Sequence, residues 1–137
     1  MKVGFTGTRR SMTEAQGEKL IDLLTYYRAE EFHHGDCVGS DAQAHDLVRQ
    51  HFPSIRIITH PPTSPRFRAN CRGDASEPPR EYMSRNHRIV DISGVLIATP
   101  AEAQEILRSG TWATIRYARK VRTPRGIINP NGEVSGI

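Results

Sequence analysis

Short apolar runs along this chain alternate with longer stretches in which apolar residues recur every third or fourth position, a pattern that predicts strands and helices in turn. Lys2 to Thr6 reads as a first strand. Thr13-Glu14-Ala15-Gln16 has the form of a capping box, and Leu20, Ile21, Leu24 and Tyr27 follow at helical spacing, predicting a helix over about Thr13 to Ala29. Glu31 to His34 is a weakly signalled second strand, required by the turn after it. A second capping box, Ser40-Asp41-Ala42-Gln43, opens a helix with Ala44, Leu47 and Val48 facing inward. Ile55 to Thr59 is a third strand, rich in β-branched Ile55, Ile57 and Ile58, and His60-Pro61-Pro62 stops it.

From Pro61 to Arg80 the periodicity vanishes and proline is frequent. Unstructured loops beyond about 12 to 15 residues are uncommon in compact domains, so this one, bearing Arg66, Arg68, Arg72 and Arg80, is either a lid over an anion or a mobile excursion. Tyr82 to Val90 predicts a third helix whose apolar stripe runs through Tyr82, Met83, Ile89 and Val90. Asn86 falls on the centre of that stripe and needs a partner, expected in neighbouring loop backbone; Arg85 sits at its edge with its stem covered. Gly94 to Thr99 is nearly all apolar, as a central parallel strand covered on both faces should be. Arg108 to Lys120 is a turn and a helix, Gly126-Ile127-Ile128 a last strand, and Asn129 to Gly132 a turn. The alternation predicts an α/β fold: a Rossmann-like open, mostly parallel five-stranded sheet with helices on both faces, formed by one domain over residues 1–137.

Charge changes this picture only slightly. Nineteen Lys and Arg against 15 Asp and Glu give a net charge of +4, which suits phosphate-bearing partners and equally describes a mildly basic solvated surface. The two cysteines, Cys37 and Cys71, lack CxxC spacing and fit a reducing, cytoplasmic setting. No apolar run approaches the roughly 18 residues needed to cross a bilayer, so no membrane association is expected. His33, His34, His45 and His60 form no HxxxH pair, and adjacent His33 and His34 on a strand point to opposite faces, so neither metal nor cofactor is expected.

The chemistry lies in three turns. Gly4-Phe5-Thr6-Gly7-Thr8-Arg9-Arg10 ends the first strand, Gly35-Asp36-Cys37-Val38-Gly39-Ser40-Asp41 ends the second, and Ser109-Gly110-Thr111 opens the last helix. Strand C-termini share one edge of such a sheet, where helix starts offer unpaired N–H groups and a positive dipole to an anion. The expected phosphate cradle is the backbone of Gly7, Thr8, Gly39, Ser40, Gly110 and Thr111 with the Thr8, Ser40, Ser109 and Thr111 hydroxyls. Arg9 and Arg85 would add charged hydrogen bonds if they are not ordinary ion pairs, and Asn86 borders the same crevice. Asp36 and Asp41 are candidates for ribose hydroxyls, although Asp41 equally suits a helix dipole. Trp112 and Tyr82 offer a stacking face for a base, yet Trp112, Ile115 and Ala118 recur every third residue and Tyr82 lies on an apolar stripe, which favours core.

These segments together resemble the SLOG superfamily, which includes the DNA-processing protein DprA and the LOG phosphoribohydrolases. Val3 to Arg9 is similar to its first glycine turn, Gly39 to His45 to the GxDxxAH segment of DprA-type members, Arg85 to Val90 to the RNR-I segment, and Ser109-Gly110-Thr111 to its last phosphate turn. The resemblance implies a site for nucleotide phosphate and ribose at the sheet edge, often in a homodimer or higher homo-oligomer. LOG enzymes carry PGGxGTxxE, whose glutamate acts in N-glycosidic cleavage; here Thr114 stands in its place, leaving Asp36 and Arg85 as catalytic candidates. Three activities remain open. They are capture of a phosphorylated nucleotide or nucleotide-derived signal (ADP-ribose-like or cyclic) for sensing or sequestration, phosphoribohydrolase action on nucleoside monophosphates, and DprA-like binding of single-stranded DNA.

Overall fold

The structure is a computed structural model and describes residues 1–136. Its elements are β1 (Lys2–Gly7), α1 (Glu14–Tyr26), β2 (Glu31–His34), α2 (Ser40–His51), β3 (Arg56–Thr59), β4 (Ala75–Ser76), α3 (Tyr82–Ile92), β5 (Val95–Thr99), α4 (Gly110–Lys120), β6 (Arg125–Ile128) and β7 (Val134–Ser135). One sheet runs in the order β4-β3-β2-β1-β5-β6-β7. Every neighbouring pair is parallel except β6 with β7. The architecture is therefore the expected open α/β sheet, with seven strands instead of five. The additions, β4 and β7, are edge strands of two residues each, too short to show an alternating pattern.

Both faces are covered. Val3, Phe5, Phe32, Ile57, Val95 and Ile97 pack on one side with Leu20 and Leu24 of α1 and Ala44 and Val48 of α2. On the other side Leu96 meets Ile89 and Val90 of α3 and Ala118 of α4, while Ala98 and Ile127 meet Trp112 and Ile115. Alternate residues of β5 thus serve opposite layers, and all five are buried. Trp112, only 5% exposed, is a core residue here and presents no stacking face to a ligand.

The two capping boxes have different fates. At α1, Gln16 N–H donates to Thr13 Oγ1 at 3.1 Å and Thr13 N–H to Gln16 Oε1 at 3.0 Å, as the spelling predicts. At α2 no box forms: Gly39 is the N-cap, Ser40 lies inside the helix and donates its N–H to Thr8 O at 3.0 Å, and the Gln43 side chain accepts from Met12 N–H. Gly39 permits this because its φ of +89° is open to glycine and its missing Cβ makes room for the Arg9 carbonyl.

From β1 the chain steps outward to β2 and β3, then returns across the sheet to β5 on the far side of β1. At this reversal the loops after β1 and β5 diverge and leave a crevice above the strand C-termini.

Candidate functional site

A cleft of about 500 Å³ occupies the crevice. Its walls are Phe5 to Arg10 at the end of β1 and after it, Gly35, Cys37 and Asp41 after β2, Tyr82, Met83, Arg85 and Asn86 on α3, Ala101 and Glu102 after β5, and Arg108 to Thr111 at the start of α4. Ser109 caps α4, its Oγ accepting from Trp112 N–H at 3.2 Å. The next two donors, the N–H groups of Gly110 and Thr111, have no partner among the described residues, as the first turn of a helix requires unless a ligand supplies one. Nothing lies within 4 Å of where a Cβ on Gly110 would be, so the approach is open. Arg9, Arg10 and Arg108 border the same cleft and make no ion pair among the described residues. The Arg9 guanidinium rests 4.1 Å over the Phe67 ring, which positions it without neutralising it.

The floor is built on Arg85. Although charged, it is 4% exposed: Nη1 donates to Gly35 O and to His60 O (2.9 Å), Nη2 to Cys37 Sγ (3.6 Å) and Nε to Asn86 Oδ1 (2.7 Å). Asn86 is thus held by its neighbour on α3 and not by loop backbone, because the half-buried amide turns toward the cleft. Tyr82 is half-buried beside them, its ring 5.5 Å from the Arg85 guanidinium. Asp41 accepts Cys37 N–H at 3.1 Å; burial pushes its carboxyl up to about 6, with the Arg85 charge and nearby N–H groups pulling the other way.

Of the residues singled out from the sequence, Gly7, Thr8, Arg9, Asp41, Arg85, Asn86, Ser109, Gly110 and Thr111 line this cleft; Asp36, Gly39 and Ser40 do not. Thr8 offers only its side chain, because its N–H donates to Thr99 O at 3.1 Å. Ser40 is spent on the β1 turn, and the Asp36 carboxylate accepts from Arg68 Nε at 3.0 Å and Cys71 N–H at 2.7 Å. Thr114 is 1% exposed and donates to Gly110 O at 2.9 Å, so its hydroxyl serves the helix itself. Arg10, Cys37, Glu102 and Arg108 are lining residues that the sequence did not single out; Arg10 and Cys37 lie within marked turns and Arg108 adjoins one.

The arginine-bearing segment from Pro61 to Arg80 is stitched down. Phe67 O accepts from Val38 N–H, Asp36 O from Ala69 N–H, Ile57 O from Asp74 N–H and Thr59 O from Glu77 N–H. Arg68 and Arg80 pair with Asp36 and Glu77, and neither they nor Arg66 and Arg72 line the cleft.

Behind the floor, histidines pair in ways their spacing hides: His33 Nδ1 lies 2.9 Å from His60 Nε2, and His34 Nε2 lies 3.0 Å from His45 Nδ1. His34, His45 and Cys71 also bring their ligand atoms within 4.8 Å of one another. However, Asp36 N–H donates to His34 Nδ1 at 3.0 Å, which leaves the proton of neutral His34 on the Nε2 that a metal would need. Burial, with Asp36 nearby, also pushes the Cys71 thiol up to about 12. The His34–His45 pair therefore works as a hydrogen-bonded core contact.

Burial holds His33, His34 and His45 below the ordinary histidine value and His60 down at about 3, while Arg80 and Arg88 hold Glu77 at about 2. Each depressed group takes up protons more readily in the unfolded chain, so its stability contribution is complete above the unfolded value and lost as pH falls toward the folded one. The window opens below about 6.5 for the histidines and below about 4.5 for Glu77. Asp41, raised to about 6, acts in the opposite sense but is a single group. The urea midpoint should accordingly fall between about pH 7 and about pH 4.5; a midpoint that holds steady or climbs on acidification would contradict this assignment.

Comparison with solved structures places this geometry in a known fold. The molybdenum cofactor binding protein from the phototrophic bacterium Rippkaea orientalis superposes with a TM-score of 0.70 at 19% identity, over 94% of this chain and 77% of that one. The Moco carrier protein from Chlamydomonas reinhardtii gives 0.60 at 18% identity, over 93% and 76%. DNA processing protein A (DprA) from Streptococcus pneumoniae gives 0.64 at 19% identity, over 93% of this chain but only 49% of that protein, so the chain spans about half its length. No protein-family model and no curated protein matches the chain. The likeness is one of fold, the open and mostly parallel α/β sheet that the alternation of elements predicts. No helix among the described residues is long and apolar enough to cross a membrane.

Proposed function

We propose that the cleft captures a phosphorylated nucleotide or nucleotide-derived small molecule, for sensing or sequestration, with a phosphate seated on the start of α4. One observation carries this: the unpartnered N–H groups of Gly110 and Thr111 open a helix into a cleft bordered by Arg9, Arg10 and Arg108. The volume suits a ligand of nucleotide size. Two fold neighbours are named for binding or carrying a molybdenum cofactor, which supports a small molecule as guest over a strand of DNA. Capture is favoured over LOG-type hydrolysis because Thr114 supplies no carboxylate where the LOG glutamate stands and the Asp36 carboxylate is already taken by Arg68 and Cys71.

Calorimetry of the full chain against inorganic phosphate, mononucleotides, ADP-ribose and cyclic nucleotides tests it, with Gly110→Asp as control. A Cβ at this position meets nothing, and the added carboxylate places a negative charge at the helix start, where it competes with a phosphate. Binding should weaken at least about tenfold, equivalent to about 1.4 kcal/mol, with thermal stability kept. If no phosphate compound binds, or if the variant binds like the parent, the assignment is wrong.

A further inference from the structure

The cleft is chemically unequal from end to end. Sheet order places β1 between β2 and β5. The C-terminal ends of β2 and β5 are therefore about two strand spacings apart, roughly 10 Å, and the Asp41 and α4 sides of the cleft are reached from these separate strands. Around α4 the lining offers donors, the N–H groups of Gly110 and Thr111 and the Arg108 guanidinium, with Glu102 on the loop before the helix as the one carboxylate on that side among the described residues. At the β2 end it offers an acceptor, the Asp41 carboxyl, which is 6% exposed yet borders the cleft.

Several groups face Asp41. From its own turn come the Cys37 and Gly35 N–H groups, the Cys37 thiol and the Asp36 carboxylate; from α3 comes Arg85; from the β1 turn, Arg9 acts on Cys37. Cys37 N–H takes one lone pair of Oδ2, and a carboxylate has about four such sites, so capacity remains. A phosphate against Asp41 would set acceptor against acceptor in a poorly solvated corner. We infer that Asp41 selects the ligand by accepting a hydrogen bond from an N–H or O–H group at the end remote from the phosphate. The cleft then takes phosphate esters with a donor on the far side, and it rejects polyphosphates that would fill it with acceptors. This rests on the phosphate assignment to α4.

Dissociation constants for the full chain would be measured with four probes: adenosine monophosphate, its dideoxy analogue without ribose hydroxyls, ribose phosphate without the base, and inorganic phosphate. Whichever analogue lacks the selected donor should bind at least tenfold more weakly than adenosine monophosphate, which separates a hydroxyl from a base N–H. The donor bond is stronger to ionised Asp41, so this ratio should be greatest above about pH 6 and shrink as the pH falls below it. Phosphate titration cancels in the ratio between the monoesters. Asp41→Asn should make it independent of pH. Equal affinities for all four probes, a flat ratio in the parent protein, or a pH dependence that persists in Asp41→Asn would each overturn the role of Asp41 while leaving the phosphate seat intact. The flat-ratio outcome needs no variant to fold. If even inorganic phosphate fails to bind, the α4 assignment falls and this one with it.

Discussion

Arg85→Met is expected to cost about 3 to 5 kcal/mol of stability, the range for removing one side of a buried, hydrogen-bonded charge. Methionine fills much of the volume but leaves the Gly35 and His60 carbonyls and the Asn86 Oδ1 without the donors they now have. For a chain of this size the loss corresponds to a fall in melting temperature of about 10 to 20 °C. A pH signature distinguishes this from simple loss of packing. Without the Arg85 charge, the buried Asp41 carboxyl rises further above its present value of about 6, so the deficit relative to the parent should be largest above that pH and shrink under acid conditions. Thermal melts at two pH values would decide. A drop of only a few degrees, or one indifferent to pH, would mean that Arg85 is not the keystone of the floor.

Gly39→Ala should be nearly as damaging, with a loss of about 3 kcal/mol or more. Two costs combine: a backbone conformation essentially restricted to glycine, worth about 1 to 3 kcal/mol, and overpacking worth about as much. The new Cβ would land on the Arg9 carbonyl oxygen, so the turn after β1 must move away from the start of α2. That turn is a wall of the cleft, so ligand affinity should fall along with the urea midpoint. Gly110→Ala is the control, since nothing surrounds it and the change should stay within about 0.5 kcal/mol. Equal stabilities for the two alanine variants would refute the assignment.

Local signals made much of the fold legible. The nearly all-apolar β5 and the isoleucines of β3 declare strands whatever lies next to them, and the capping box at Thr13 declares a helix start. Thr13-Glu14-Ala15-Gln16 and Ser40-Asp41-Ala42-Gln43 are spelled alike, yet only the first forms a box. The second is overruled by Thr8, a partner far away in sequence, and by the positive φ of Gly39. Asp36 and Asp41 likewise look interchangeable within one turn. Asp36 adopts φ +56° and delivers its carboxylate to Arg68 and Cys71, while Asp41, inside α2, borders the cleft. Contacts of this kind, like the histidine pairs, join separate segments and leave no periodicity to read. The start of α4 was legible because a serine cap followed by glycine is a local device.

The short edge strands also limit how copies of this chain can join. Each border of the sheet exposes a ladder of only two residues, β4 on one side, followed closely by Pro78 and Pro79, and β7 on the other. An incoming strand would gain one or two rungs and then meet a missing amide hydrogen or the end of the ladder. Growth by adding strand after strand at either border of the sheet is thereby disfavoured in the folded state.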